Sequence, residues 1–453
     1  MPGTTQLPAS YRPVAGGAVG PGAQRGRVRN GPGAKRAGCE TGLLLNGAGL
    51  MGGKETRSVT ATPNVAISGA AKHFDVAIVG AGIVGLAHAL AAARRGKRVV
   101  VIDRDAQANG ASIRNFGFIT VTGQQAGACW ERAMRTRDVW DEVAAAAGIQ
   151  VAHAGLVVAT RRTEATRVIE TFAATDMGRD CRLLTPAEAR EIVPNLRHDQ
   201  LDGALFSPHE RRVESRTAIA KLAAWLAQAH GVTFLRSTHV RHVDPPRLET
   251  TAGTIYADAT VVCAGDEFRT LFPERIAAYG LTRCKLQMLR LAPARGMPRP
   301  TLGAAVMTDL SLVRYLGYAE LPEAAALKAR LVHEQAAHLD NGIHLIAVQS
   351  ADGSLVVGDS HHYGETPDPF GSMAVDQLIL DEFDVVLDMP GYAPVETWTG
   401  IYASAADRLM LVDRPTDAVR IVIVTSGTGA STGFAIAEEV IGEIFDGPAR
   451  VAS

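Results

Sequence analysis

The segment FDVAIVGAGIVGLAHALAAARRGKRVVVIDRD, residues 74–105, constrains the chain more than any other. FDVAIVG is a short apolar run suited to the middle of a parallel sheet. Gly80, Gly82 and Gly85 follow as G-x-G-x-x-G. GIVGLAHALAAARRG is a strong helix former rich in Ala and Leu, and it ends at Gly96. KRVVVIDRD supplies a second strand, and Asp103 stands 23 residues after Gly80. Strand, glycine turn, helix, strand and acid together describe a dinucleotide site. The turn lets the backbone approach a pyrophosphate, the helix N-terminus faces it, and the acid accepts from ribose hydroxyls.

A second match to the glycine pattern, LLLNGAGLMGG at 43–53, lacks that context. Only Leu43–Leu45 precede it, and KETRSVTATPN after it has no helical period. It reads as chance within a Gly/Pro/Ala/Arg-rich leader. That leader, residues 1–73, has little with which to bury a face and is expected to be disordered. Its apolar stretch is too short and glycine-broken for a secretory signal; a transit peptide and an over-called start codon stay open. Of 46 basic and 47 acidic residues, nine and two fall in 1–72, leaving the body with 37 and 45. A mildly acidic body argues against general nucleic-acid binding. No apolar run of about 18 residues suggests a membrane span. The five cysteines, 39, 129, 181, 263 and 284, contain no C-x-x-C and read as idle thiols in a reducing, cytoplasmic setting.

Beyond the second strand, ANGASIRNFGFITVTGQ (108–124) is a polar, glycine-rich loop where an NAD dehydrogenase would carry a crossover helix. Ser112, Arg114 and Asn115 are expected to wrap the far side of the pyrophosphate. HGVTFLRSTHVRHV (230–243) reads as a strand pair with a turn near Ser237, and TIYADATVVCAG ends a buried strand at Ala264–Gly265. The final VRIVIVTSGTGASTGFAIAEEVIGEIF (419–445) is again strand, glycine turn and helix. Gly427, Gly429 and Gly433 leave backbone exposed at that helix start, which suits partial negative charge on a reduced flavin.

Gly80–Gly85, Asp103–Arg104, GASIRNFG, VVCAGD and TSGTGASTGF together resemble the FAD-dependent D-amino-acid oxidase, glycine oxidase and sarcosine oxidase superfamily, over about 74–446. GASIRNFG, LTRCKLQMLRL, VVGDSHHYGETPDPF and VTSGTGAST are similar to its phosphonate-catabolism-associated bacterial subgroup. The resemblance implies FAD as cofactor, with Gly80, Ala81, Gly82, Ile83, Val84, Gly85, Asp103, Arg104, Ser112, Arg114, Asn115, Val240, Ala264, Gly265, Gly427, Thr428, Gly429, Ser431 and Thr432 as candidate ligands. It implies an α/β architecture: a discontinuous Rossmann-like FAD-binding domain (74–125, 205–280 and 393–446) and a mixed-sheet α+β substrate domain (126–204 and 281–392). The sequence supports this coarsely. WERAMRTRDVWDEVAAAAG and TEATRVIETFAATDMG read as helices, and Thr185, Pro186 and Glu188 form a capping box.

Glycine oxidase-like members hold the substrate carboxylate with an Arg in W-x-G-x-R-P. Here TWTGIYAS places Tyr402 where that basic residue is expected, four residues after Trp398. A hydroxyl does not replace a bidentate guanidinium. An α-amino acid is therefore disfavoured, and the acid group of an anionic amine must be held elsewhere. Arg283, Lys285, Arg314, Tyr315 and His361 are the candidates, with Trp398 and Tyr402 as wall; two or more cations are expected to converge on a phosphonate. Lys285 and Tyr402 are the candidate catalytic groups. VVGDSHH (356–362) resembles a flavin-hydroxylase stretch, but Pro367 and Pro369 exclude the helix that should follow. Leu355–Ser360 is expected instead to pair with IHLIAVQ through SADGS, so that Asp359, His361 and His362 line the cavity; no metal site is expected.

The expected activity is oxidation of a small amine, related to 2-aminoethylphosphonate, to imine and then aldehyde, with molecular oxygen regenerating the flavin. Three alternatives remain: a dehydrogenase using a quinone or protein acceptor, a flavin hydroxylase, and a flavoprotein subunit without turnover.

Overall fold

A computed structural model describes residues 73–297 and 299–447. The leader expected over 1–73 lies outside these apart from His73, as do Cys39 and the glycine-rich copy at 43–53. The strands run in chain order as β1 His73–Val79, β2 Val99–Ile102, β3 Phe118–Ile119, β4 Val151–Thr160, β5 Arg182–Leu184 and β6 Gly203–Val213. Then come β7 Thr233–Leu235, β8 Val240–Asp244, β9 Arg247–Thr250, β10 Gly253–Val262, β11 Thr282–Pro293 and β12 Ala305–Met307. The last are β13 Ile346–Gln349, β14 Leu355–Gly358, β15 His362–Gly364, β16 Tyr392–Ser404, β17 Met410–Thr416 and β18 Val419–Val424.

They form two sheets. The first has the order β17-β18-β10-β1-β2-β7, with β8 and β9 attached through β10. β7, β2, β1, β10 and β18 are parallel and β17 is antiparallel. Both faces of this sheet are covered, which explains its unbroken apolar runs. Val76, Ile78, Val99, Val101, Val261 and Val422 pack under the helices, while Phe74, Val100, Ile102, Val262, Ile421 and Ile423 pack on the other face. The helical side carries Ile83–Arg94, Ala128–Ala147, Ser215–His230 and Gly429–Asp446. From β1 the sheet grows one way through β2 and the other through β10. That reversal opens a crevice at the carboxyl end of β1, where doubly wound sheets bind ligands.

The second sheet has the order β15-β11-β14-β13-β12-β4-β6-β3, with β16 on β11 and β5 on β6. It is mixed, β12 running parallel to β4 among antiparallel pairs. The 74–125, 205–280 and 393–446 segments supply every strand of the first sheet, and also β3, most of β6 and β16 of the second. The 230–243 stretch gives two strands with Ser237 at φ +53, but they do not pair: β7 joins β2 and β8 joins β9. The hairpin at 346–358 has the expected form, with Gln349 opposite Leu355. The capping box is present: Thr185 Oγ1 accepts from Glu188 N–H, and the Glu188 carboxylate accepts from Thr185 N–H.

The helix Ala128–Ala147 fixes the start of the last helix. Trp140 Nε1 donates to Ala430 O at 2.8 Å, and its ring meets Phe434 edge-on at 5.3 Å. Arg132 forks onto Glu439, and Thr136 Oγ1 accepts from Ala435 N–H at 3.1 Å. Among the described residues, no helix is long and apolar enough to cross a membrane.

Candidate active site

Each glycine of the fingerprint has a separate steric reason. Gly80 sits at φ +103, and a Cβ there would lie 2.4 Å from Cys263 O. At Gly85 a Cβ would fall 1.9 Å from Gly80 O, so the helix can cross the strand end this closely only without a side chain. Gly82 precedes the helix, and its hypothetical Cβ meets only the Ser112 hydroxyl, at 2.9 Å. Asp103 braces the turn: Oδ2 accepts from Ala81 N–H at 2.6 Å and Oδ1 from Asp105 N–H at 2.8 Å. Each oxygen keeps a second lone pair for a ribose hydroxyl.

The loop after β2 closes over this turn. Ala111–Ile113 form one turn of 3-10 helix, and Ser112 Oγ accepts from Ile83 N–H at 2.9 Å. A hydroxyl oxygen thus stands at the helix N-terminus, where anions bind. Arg114 donates to Asn109, and Asn115 spends its amide on Ala111 O and Gly117 N–H, holding the loop's shape. Arg104 pairs with Glu267 at 3.3 Å on the rim.

From here a single cleft runs to the second sheet. Along it lie Gly80, Gly82, Ile83, Val84, Asp103, Arg104, Ser112, Arg114, Asn115, Val240, Ala264 and Gly265, then Gly427, Thr428, Gly429 and Ser431. Gly265, at φ +64, has open space where a Cβ would project. Three of the expected cofactor residues stand behind this wall. Ala81 is fully buried, Gly85 packs on Gly80, and Thr432 Oγ1 bonds back to Thr428 O at 3.0 Å. Ser431 Oγ accepts from Thr120 N–H at 2.9 Å, tying the last turn to the chain beyond β3. Bare backbone at two helix starts, an acid at the ribose position and a polar loop between fit a bound dinucleotide.

At the far end the last turn meets the second sheet. Arg314, Tyr315, His361 and Tyr402 line it, together with His344 and Asp359. The other candidates lie elsewhere. Arg283 is engaged by Asp266 and by Glu365 O, Lys285 Nζ donates to Phe370 O at 2.8 Å, and Trp398 is covered by the Arg216 guanidinium. Of the four expected cations, then, Arg314 and His361 reach the cleft. Arg314 donates to the Tyr363 hydroxyl at 3.1 Å. Burial pushes the Tyr402 hydroxyl well above the ordinary phenol range, so it stays protonated.

His344 is the residue the sequence reading did not single out. The β13–β14 ladder continues past its last rung with a one-residue shift: His344 N–H donates to Asp359 O, and Asp359 N–H to His344 O. Extending the hairpin register from Gln349 and Leu355 brings His344 opposite Ser360, one residue away from the Asp359 pairing the structure shows. One polar side-chain atom each of His344, Asp359 and His361 lies within 4.8 Å of the others. His344 Nε2 is 3.1 Å from Asp359 Oδ1, and the two imidazoles stack at 5.2 Å. Burial raises the Asp359 carboxyl, and His361, His344 and Arg314 more than offset this, leaving it ionised. Burial lowers both imidazoles, and Arg314 lowers His361 further.

The four described cysteines are free thiols. Burial raises all four, Cys263 the most and Cys129, Cys181 and Cys284 to about 11, so none is a ready nucleophile.

A family model described as FAD dependent oxidoreductase matches residues 75–442. Glycine oxidase of Geobacillus kaustophilus (strain HTA426) is 28% identical over 209 residues, 42% of this chain and 54% of that protein. Monomeric sarcosine oxidase of Bacillus sp. (strain B-0618) is 26% identical over 201 residues, 43% and 51% of the two chains. The chain thus spans about half the length of these curated relatives. Among solved structures, L-proline dehydrogenase from P. horikoshii superposes with TM-score 0.66 at 19% identity, covering 84% of this chain and 96% of that one. Glycine oxidase from Geobacillus kaustophilus gives 0.65 at 20%, covering 83% and 96%. At those identities the structural likeness concerns the fold.

Proposed function

Because the chain belongs to the family of FAD-dependent oxidoreductases, we propose that it oxidises a small amine carrying one acidic group. FAD, when bound, supplies the two-electron acceptor for the C–H bond next to nitrogen. The residues of this chain bind, orient and exclude water. In this reading Gly80–Gly85 and Ser112 hold the pyrophosphate, Asp103 the ribose, and Gly427–Ser431 the edge of the ring. The first sheet and its helices form the FAD-binding unit, and the second sheet forms the substrate unit.

One observation carries the proposal: the cleft that begins at the fingerprint ends against Arg314, Tyr315, Asp359, His361 and Tyr402. Fixed charges of both signs at that end suit a zwitterion. Arg314 takes the acid group, and the carboxylate of Asp359 takes the amine end. Tyr402, across from Gly427, closes the wall between the last turn and the second sheet. An aminophosphonate related to 2-aminoethylphosphonate is the substrate we put first. With Arg314 as the one permanently cationic side chain named at that end, its acid group is expected to bind as a monoanion. Oxygen is the proposed electron acceptor.

The test is an anaerobic reduction screen of the flavin-loaded protein with glycine, sarcosine, 2-aminoethylphosphonate and its N-methyl form. Bleaching by the phosphonates supports the substrate reading, and bleaching by glycine alone removes it. Peroxide release under air marks an oxidase; its absence points to a quinone or protein acceptor.

A further inference from the structure

His361 and Asp359 present two acceptors to each other across the far end of the cleft. His361 Nδ1 is 2.9 Å from Gly342 O. A carbonyl only accepts, so Nδ1 carries the proton and Nε2 carries the lone pair. That Nε2 lies 3.7 Å from Asp359 Oδ2, too far for a direct hydrogen bond. A single donor nitrogen about 2.8 Å from each can bridge two acceptors at this separation through two bent N–H bonds, and a substrate ammonium supplies such a nitrogen. Asp359 is 5% exposed, and its other oxygen, Oδ1, makes no well-aligned hydrogen bond despite the nearby His344. A buried carboxylate left in this state calls for a charged or hydrogen-bonding partner.

We infer that Asp359 and His361 form the amine-receiving end of the site, with His361 Nε2 as the base that removes the proton from the substrate ammonium. This rests on the amine-oxidation reading above. One N–H bond of the ammonium breaks, and its electron pair stays on the amine nitrogen as the lone pair that oxidation requires. The proton forms a new bond to Nε2, Nδ1–H stays on Gly342 O, and the positive charge moves to an imidazolium beside Asp359. His344 is a positioning residue: its Nε2 stands 3.1 Å from the second oxygen of the carboxylate, and its ring stacks on His361.

The groups around His361 fit this role. Burial and Arg314 keep it neutral and able to accept, and Asp359 stabilises it once charged. Tyr402, from β16, meets it edge-on at 6.4 Å and stays protonated. Tyr315 packs edge-on against His344, and Tyr363 accepts from Arg314. Cys284, from β11, remains a neutral thiol near Arg314 and Tyr402. Burial also loosens the ammonium's own hold on its proton, which brings donor and acceptor closer in strength.

The experiment is stopped-flow reduction of the flavin-loaded wild type under anaerobic conditions, using amines of different basicity between pH 6 and 10. With a base in the site, the limiting rate divided by the apparent dissociation constant stays flat below the pKa of the free amine. A tenfold fall of that ratio per pH unit below that pKa would overturn the inference, because the neutral amine would then come from solution. His361→Gln should slow reduction at pH 7 on the order of 100-fold and recover as pH rises toward the amine's pKa. Asp359→Asn should raise the apparent dissociation constant more than it lowers the limiting rate. His344→Gln should shift the pH profile with little change in flavin content. A His361→Gln protein with bound flavin, unchanged rate and unchanged profile would overturn the assignment, as would one equivalent of divalent metal lost on His344→Gln. If no amine bleaches the wild type, the parent reading falls and this one with it.

Discussion

The ring of Tyr402 lies against the backbone of Gly427: a Cβ at 427 would come 3.2 Å from the ring's Cζ. Tyr402 belongs to the second sheet and Gly427 to the turn before the last helix, so this contact joins the two halves of the cleft. Gly427 also stands at φ +74, where an L side chain is strained. Gly427→Ala should therefore cost about 1–2 kcal/mol through backbone strain alone. Thermal unfolding checks the loss. The partner variant Tyr402→Phe, which keeps the ring, should leave stability near wild type.

The fingerprint glycines should fail in different ways. At Gly85 an added Cβ runs into backbone, 1.9 Å from Gly80 O, so Gly85→Ala is expected to prevent folding and leave insoluble protein. At Gly82 the Cβ meets only the Ser112 hydroxyl, which can turn away. Gly82→Ala should fold yet retain FAD at least tenfold more weakly, because the methyl stands where a pyrophosphate approaches. The ratio of flavin to protein absorbance after desalting separates the two outcomes.

Arg314 is the test of the acid-group anchor. Arg314→Ala should raise KM for an anionic amine tenfold or more and leave an uncharged analogue of the same length within about threefold, since a charge-assisted pair lost in a shielded cleft costs roughly 1.5–3 kcal/mol. Equal effects on both substrates would assign Arg314 to shape instead of charge.

Acid should destabilise the fold through His88. Its imidazole is fully buried on the fingerprint helix, and burial lowers it from 6.5 to about 4. Between those values the unfolded chain binds the extra proton, so stability rises with pH through that window and is lost as pH falls. The loss from this group reaches about 3 kcal/mol at pH 4 and none of it is present above pH 7. His153, also lowered to about 4, adds in the same direction. Urea unfolding at pH 7 and pH 4.5 should show a smaller acid loss in His88→Leu than in wild type.

The first sheet was legible because its signals are local. One strand, three glycines, a helix and an acid occupy 30 consecutive residues, and both faces of each strand are buried, so the apolar runs are unbroken. The 346–358 hairpin was legible for the same reason, a short turn between two apolar strands. The far end of the cleft was harder. Arg283 and Lys285 sit in an apolar-polar strand that looks the same whether its cations face a cavity or bind backbone carbonyls, and here they reach Glu365 O and Phe370 O. His344 joins Asp359 only through a ladder that shifts by one residue, and a shift of one reverses which face a side chain takes. Sheet membership also departed from simple segment order, because β6 continues into 205–213 while pairing with β4 and β3.

The chain builds β1 and β2 in the first sheet, β3–β6 in the second, β7–β10 back in the first, β11–β16 in the second, and β17–β18 again in the first. Neither half is therefore a continuous stretch of polypeptide that a ribosome could finish alone. The central strand β1 must wait for β18, some 340 residues later, before its neighbour β10 is flanked on the other side. A gene cut anywhere between these crossings would yield two fragments that each lack an inner strand of the first sheet. Truncation is thus the wrong tool for isolating either unit.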